Sequence, residues 1–291
     1  MKPASFEYHA PQTVEEAVGL LGELGDEAKV IAGGQSLVPI LALRLAVFGH
    51  LVDVGRIDEM RDVSRRNGTL VVGGGTREVV LERDGAVAEA VPLLAEATPF
   101  IGHFQIRNRG TVGGSLAHAD PAAEYPAVAL SLDAELEVRS VRGSRLVDAA
   151  DFFTGVWTTS LEPDELLVAA RFPVWSGRCG FAVEEVARRH GDFALAGAVA
   201  GAELADDGTV ARAAIGLFGM GSTPVRARSA ERAVVGNDAA AISPGEVGRL
   251  AVSDAGDVPS DLHAPAEYRR RVATAMAARA WSRAVEEARH D

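Results

Sequence analysis

Two glycine pairs, each closed by a hydroxyl residue, stand about 80 residues apart in this chain: Ala32-Gly33-Gly34-Gln35-Ser36 and Thr111-Val112-Gly113-Gly114-Ser115. Glycine lets a backbone approach a ligand closely, and bare N–H groups at the start of a helix attract an anion. Each loop taken alone is equally a tight turn with no ligand. Two of them converging would hold a diphosphate from both sides, so a dinucleotide is the first hypothesis to weigh. The first loop follows a short strand, Lys29-Val30-Ile31, and precedes an apolar helical run from Leu37 to Leu45. Thr111 and Ser115 bracket the second glycine pair, with Arg107 and Arg109 before it and His118, Asp120 and Glu124 after it. A carboxylate just beyond an anion loop is placed to accept from a ribose, ribityl or adenine group.

Composition removes several classes. The formal charge is −12, from 41 acidic and 29 basic residues, and a phosphate field would repel such a surface. Nucleic acid is therefore not an expected partner. No stretch reaches the roughly 18 apolar residues that a membrane span needs, and the N-terminus lacks a signal-peptide core, so the chain reads as cytoplasmic. Its single cysteine, Cys179, cannot supply the four thiolates an iron–sulfur cluster usually takes. No HExxH, CxxC or i,i+4 histidine pair occurs, which gives a metal site no support.

The pattern predicts a capped helix from Thr13 with Glu16 completing a capping box, strands at 29–31, 50–54 and 69–72, and one helix over 87–98. Gly73-Gly74-Gly75-Thr76 lacks the GxGxxG spacing and reads as a turn, with Thr76 near the ligand. Pro173 to Arg178 reads as a boundary. Beyond it come strand-like runs at 180–186, 194–204 and 212–218 and two helices, 229–235 and 266–289. Arg188 to Ala194 holds Gly191-Asp192, suited to a tight turn, followed by Phe193, an aromatic that could stack on a planar ring.

Five segments, AGGQSLVP (32–39), IRNRGTVGGSLAHADPAAEYP (106–126), DFFTGVWTTSLEPDELLVAARFP (151–173), RRHGDFALAG (188–197) and LHAPAEYRRRVA (262–273), together resemble the medium, FAD-binding subunit of the molybdenum hydroxylases, the carbon monoxide dehydrogenase and xanthine dehydrogenase family. The resemblance covers almost the whole chain in collinear order. It implies an α+β fold: an FAD domain of the vanillyl-alcohol-oxidase (PCMH) type over 1–175, with α/β subdomains of about 1–55 and 56–175, and a C-terminal domain over 176–291 with a small antiparallel sheet and helices. It implies non-covalent FAD bound by Ala32, Gly33, Gly34, Gln35, Ser36, Leu37, Thr76, Thr111, Gly113, Gly114, Ser115, Ala117, Asp120, Glu124, Leu167 and Phe193. Leu167 falls near the flavin and Phe193 over its ring. No catalytic residue and no metal ligand is implied on this chain.

The implied role is electron transfer from 2Fe–2S clusters on a small partner subunit, next to a large molybdopterin subunit, to an external acceptor. A free-standing FAD-dependent oxidoreductase of the same fold is the alternative. Position 35 is Gln where carbon monoxide dehydrogenases tend to have His, which argues against carbon monoxide as substrate. Position 184 is Glu where animal xanthine dehydrogenases have a basic flavin contact.

Overall fold

The computed structural model describes residues 2–290. Thr13 caps the first helix, α1 (Val14–Leu24), accepting the Glu16 amide at 3.1 Å. The Glu16 carboxylate takes the Gln12 amide at 2.7 Å, one residue earlier than a capping box requires. Two short crossovers, α1 and α2 (Leu37–Ala42), join three parallel strands, β1 (Glu7–His9), β2 (Ala28–Ile31) and β3 (His50–Asp53), paired in the order β1-β3-β2. α1 buries Val14, Ala17, Val18 and Leu21 against Val52 of β3 and against Leu166 and Val168 of a second sheet.

That second sheet is antiparallel. Its members are β4 (Val63–Arg66), β5 (Thr69–Gly73), β6 (Glu135–Ser140) and β7 (Gly143–Asp148). After a small hairpin of β8 (Phe153–Gly155) and β9 (Thr158–Thr159), the fifth strand, β10 (Leu166–Pro173), enters its centre to give the order β4-β5-β10-β6-β7. β10 is buried on both faces, which is why 166–170 is a continuous apolar run. Seven helices pack around this sheet: α3 (Glu78–Arg83), α4 (Gly85–Ala90), α5 (Pro92–Ala97), α6 (Phe104–Arg107), α7 (Val112–His118), α8 (Glu124–Ser131) and α9 (Ala149–Phe152). The single helix expected over 87–98 is two. Val91, preceding Pro92, sits at φ −141° and ψ 74°, because the proline ring crowds the helical conformation of the residue before it.

A third sheet, β11 (Arg178–Val186), β12 (Ala196–Leu204), β13 (Val210–Phe218) and β14 (Val225–Arg226), is antiparallel in that order. Helices α10 (Arg228–Val234), α11 (Pro244–Ser253) and α12 (Ala266–His290) close the chain. Phe181, Val183, Val199 and Phe218 join the core beneath α5 and α8, while Ala182, Ala198, Ala200 and Leu217 pack with α12. Both faces are covered, so the strand sequence AGAVAGAEL shows no polar alternation. Among the described residues no helix is long and apolar enough to cross a membrane.

Candidate functional site

Three glycine-bearing segments meet at the ends of β2 and β5 and the start of α7. Gly33 lies against the Arg109–Gly110 backbone so closely that a Cβ would stand 2.3 Å from the Arg109 carbonyl oxygen. A Cβ on Gly113 would stand 2.7 Å from the Gly74 Cα, and one on Gly74 would stand 2.6 Å from the Leu167 carbonyl oxygen. Only glycine permits these approaches. The segment 73–76 is the turn expected, closed by Thr76 N–H to Gly73 O at 3.0 Å, and is also the middle layer of the assembly. It is stitched to α7 by Gly113 N–H to Gly74 O at 2.9 Å and Val112 N–H to Thr76 O at 3.0 Å. It is stitched to β10 by Gly74 N–H to Val168 O at 2.7 Å.

This stitching changes what the second loop offers. Thr111 caps α7, accepting from the Gly114 amide at 3.0 Å, and the Ser115 amide donates to the Thr111 carbonyl at 2.9 Å. The amides of Val112, Gly113, Gly114 and Ser115 are all engaged within the chain, contrary to the expectation that both loops present bare amides. The reason is that the second glycine pair is the first turn of a helix held against another loop. The first loop differs. Among the described residues none accepts from the amides of Gly33, Gly34, Gln35, Ser36 or Leu37, and the Gln35 side-chain amide folds back onto the Gly33 carbonyl at 2.9 Å. Five consecutive N–H groups therefore remain available, with the Ser36 hydroxyl, which makes no cap bond.

Around these amides the chain offers hydroxyls and small residues. The Thr76 hydroxyl is buried and has no hydrogen-bond partner, a loss of about 1–3 kcal/mol unless a ligand supplies one. Gly114, Ser115 and Ala117 lie on the half-exposed side of α7, opposite buried Val112 and Leu116. Leu167 is buried at the β10 irregularity beside Gly74. Asp120 accepts from the Trp157 indole and from the Ala122 amide, both at 2.9 Å. Burial holds the neighbouring His118 imidazole below its usual range. Arg107 is structural: it grips Glu82 through two bonds of 2.9 and 3.0 Å and the Ile101 carbonyl at 3.1 Å. Arg77 donates to the Arg109 carbonyl, tying the loop that Gly33 touches.

Beneath the loops lie three buried carboxyls, of which sequence alone singled out Glu124 but not Glu78 or Glu185. Glu78 is buried under Gly110, and burial pushes it up to about 8 against the opposing Arg107 and Arg77 charges. Its Oε2 has no hydrogen-bond partner. Glu124, only 5% exposed at the start of α8, is raised well above the ordinary range, by burial first and then by the charge of Glu185. Glu185, on β11, is itself raised to about 7 by burial. A carboxyl kept protonated donates as well as accepts. The signal was weak because Glu78 and Glu185 lie on periodic elements, where a glutamate ordinarily faces water. Phe193 is 59% exposed, on a turn that packs through Gly191 against Gly102 and His103. Among the described residues no hydrogen bond, ion pair or ring contact joins it to the three loops. Glu184 pairs with Arg283 at 2.7 Å.

The model of the FAD binding domain in molybdopterin dehydrogenase matches residues 4–175, and that of the CO dehydrogenase flavoprotein C-terminal domain matches residues 181–284. The chain belongs to the FAD-binding medium subunits of the molybdenum hydroxylases. This medium subunit is 38% identical to the 6-hydroxypseudooxynicotine dehydrogenase complex subunit alpha of Paenarthrobacter nicotinovorans, over 99% of this chain and 97% of that one. It is 39% identical to caffeine dehydrogenase subunit beta of a Pseudomonas species, over 100% and 98%. The solved carbon monoxide dehydrogenase of Hydrogenophaga pseudoflava, in a form lacking the Mo-pyranopterin moiety of its molybdenum cofactor, superposes with a TM-score of 0.93 at 38% identity, over 99% of each chain. The α+β architecture is that of these subunits. The residues fit an FAD-binding medium subunit on their own terms: five uncommitted amides and an orphaned buried hydroxyl are donors suited to an acceptor-rich group.

Proposed function

We propose that the chain is the electron-transfer flavoprotein of a three-subunit complex, taking electrons from a 2Fe–2S cluster of a small subunit and passing them to an external acceptor. In this reading a large subunit holds molybdopterin and oxidises the organic substrate. The relatives' designations as subunits of complexes support this division, as does a single cysteine, too few for a cluster. FAD, when bound, supplies a ring that takes up and releases electrons. The FAD-binding unit is assigned to 1–175, with parts of about 1–55 and 56–175, the C-terminal unit to 176–291, and the complex to the cytoplasm.

The observation that carries the site assignment is the row of free amides from Gly33 to Leu37. They and the Ser36 hydroxyl receive the diphosphate. Thr76, Thr111 and Ser115 add hydroxyl donors, while Ala32, Gly114 and Ala117 keep the approach open and Gly113 lets α7 close on Gly74. Asp120 and Glu124 bind hydroxyl groups of the cofactor, Glu124 as donor through its retained proton. Leu167 forms an apolar wall, and Phe193 covers the outer side of the ring. Binding is non-covalent, with Gln at position 35. Co-expression with the two partner subunits tests the reading. A yellow ternary complex that oxidises an N-heterocycle, together with a yellow but inert isolated chain, is the expected outcome. Oxidation of the same compound by the isolated chain would favour the free-standing oxidoreductase instead.

A further inference from the structure

β1 has only three residues, yet its pairing with β3 gathers three metal-binding side chains, with His50 opposite Ala28, at the other end of β2 from the first glycine loop. The parallel register sets Glu7 opposite His50, and strand alternation turns Glu7 and His9 to one side. His9 Nε2 lies 3.1 Å from His50 Nδ1, and Glu7 Oε2 lies 3.6 Å from that same nitrogen. One ligand atom from each residue falls within 4.8 Å of the other two. A tetrahedral zinc ion with bonds of about 2.0–2.1 Å holds its ligand atoms about 3.3 Å apart, so the two shorter edges bracket the required spacing. The second nitrogen of His50, Nε2, lies 4.0 Å from Glu27 Oε2. His9 also lines an open depression of about 500 Å³ with Glu16, Leu20 and Glu23.

We propose that Glu7, His9 and His50 form a zinc site that clips β1 to β3. Two imidazoles and one carboxylate suit a borderline cation, whereas magnesium and calcium call for sets of oxygen ligands. No sequence spacing announces the site, because its ligands come from two strands paired across 41 residues.

The test uses the full-length FAD-loaded chain without a histidine tag and zinc chloride alone as the probe. Calorimetry is expected to show one equivalent of zinc bound at about micromolar affinity or better, with a rise in Tm that millimolar magnesium does not reproduce. His9→Gln and His50→Ala are each expected to weaken binding by more than about 100-fold, while His290→Ala leaves it unchanged. Cobalt(II) in place of zinc is expected to give a tetrahedral visible band that the same two variants abolish. Should His50→Ala fail to fold, Glu7→Gln, at an exposed position, reads the same loss. Absence of binding at about 100 µM zinc would overturn the proposal and leave a hydrogen-bonded histidine pair. Binding that survives in the His9 variant, or undiminished in Glu7→Gln, would overturn it equally.

Discussion

At the scale of single residues the site rests on a few atoms that have no use without a ligand. The Thr76 hydroxyl is buried and unpartnered, so Thr76→Val keeps the shape and removes only the donor. Apo stability is expected to stay level or rise slightly, while FAD affinity falls about tenfold, the worth of one hydrogen bond; flavin titration paired with thermal melts reads both. Gly33→Ala acts otherwise. Its Cβ would meet the Arg109 carbonyl at 2.3 Å, and prising the two loops apart costs about 1–3 kcal/mol. FAD content on purification is expected to drop sharply in this variant, and a normal flavin spectrum would remove Gly33 from the site. Phe193→Ala, at an exposed position, should leave FAD content and Tm unchanged but alter the rate of flavin reduction. Unchanged reduction kinetics would strike Phe193 from the site.

At the scale of elements, the sequence was most legible where local chemistry decides the outcome. Thr13 ends in the cap its side chain suggests, and the first glycine loop lies between a strand and a helix as its flanks imply. It was least legible where partners distant in sequence decide. Gly73-Gly74-Gly75 forms the turn it suggests, but nothing local shows that β10 and α7 close on either side of it. The amides of 112–115 look available until Thr76, Gly74 and Thr111 take them. Strand β1 is too short for a period to show, and α11 carries only Val247, Gly248, Ala251 and Val252 as its buried stripe. Glu78, at the start of α3, has a consequence for pH. Its folded-state pKa of about 8 stands above the ordinary 4.5. Between those values the folded chain holds a proton that the unfolded chain has released, so stability falls as pH rises through that window. Glu96 and Glu185, each raised to about 7, act with the same sign. Glu82 and Glu165, which are lowered, act only at acid pH. The apo chain is therefore expected to lose Tm from pH 6.5 to 8. Glu78→Gln should flatten that slope and raise Tm at pH 8 by about 5 °C; a slope unaltered in the variant would mean that Glu78 is ionised throughout.

At the scale of the whole molecule, the third sheet is packed on both faces, against α12 on one side and the helices of the first half on the other. Glu185 of that sheet reaches the charge environment of Glu124 in the first half, so cofactor binding at the loops is expected to stabilise the chain as one unit. Free FAD at about 100 times its Kd should add about 2.7 kcal/mol, read as a single melting transition moved upward without splitting. In the proposed division of labour this chain holds FAD and relays electrons while the substrate reacts on another subunit. Anaerobic flavin absorbance of the isolated, FAD-loaded chain tests it most directly. Bleaching is predicted on mixing with the reduced 2Fe–2S subunit and with none of a panel of N-heterocycles and aldehydes; bleaching by one of those compounds with no partner present would contradict it.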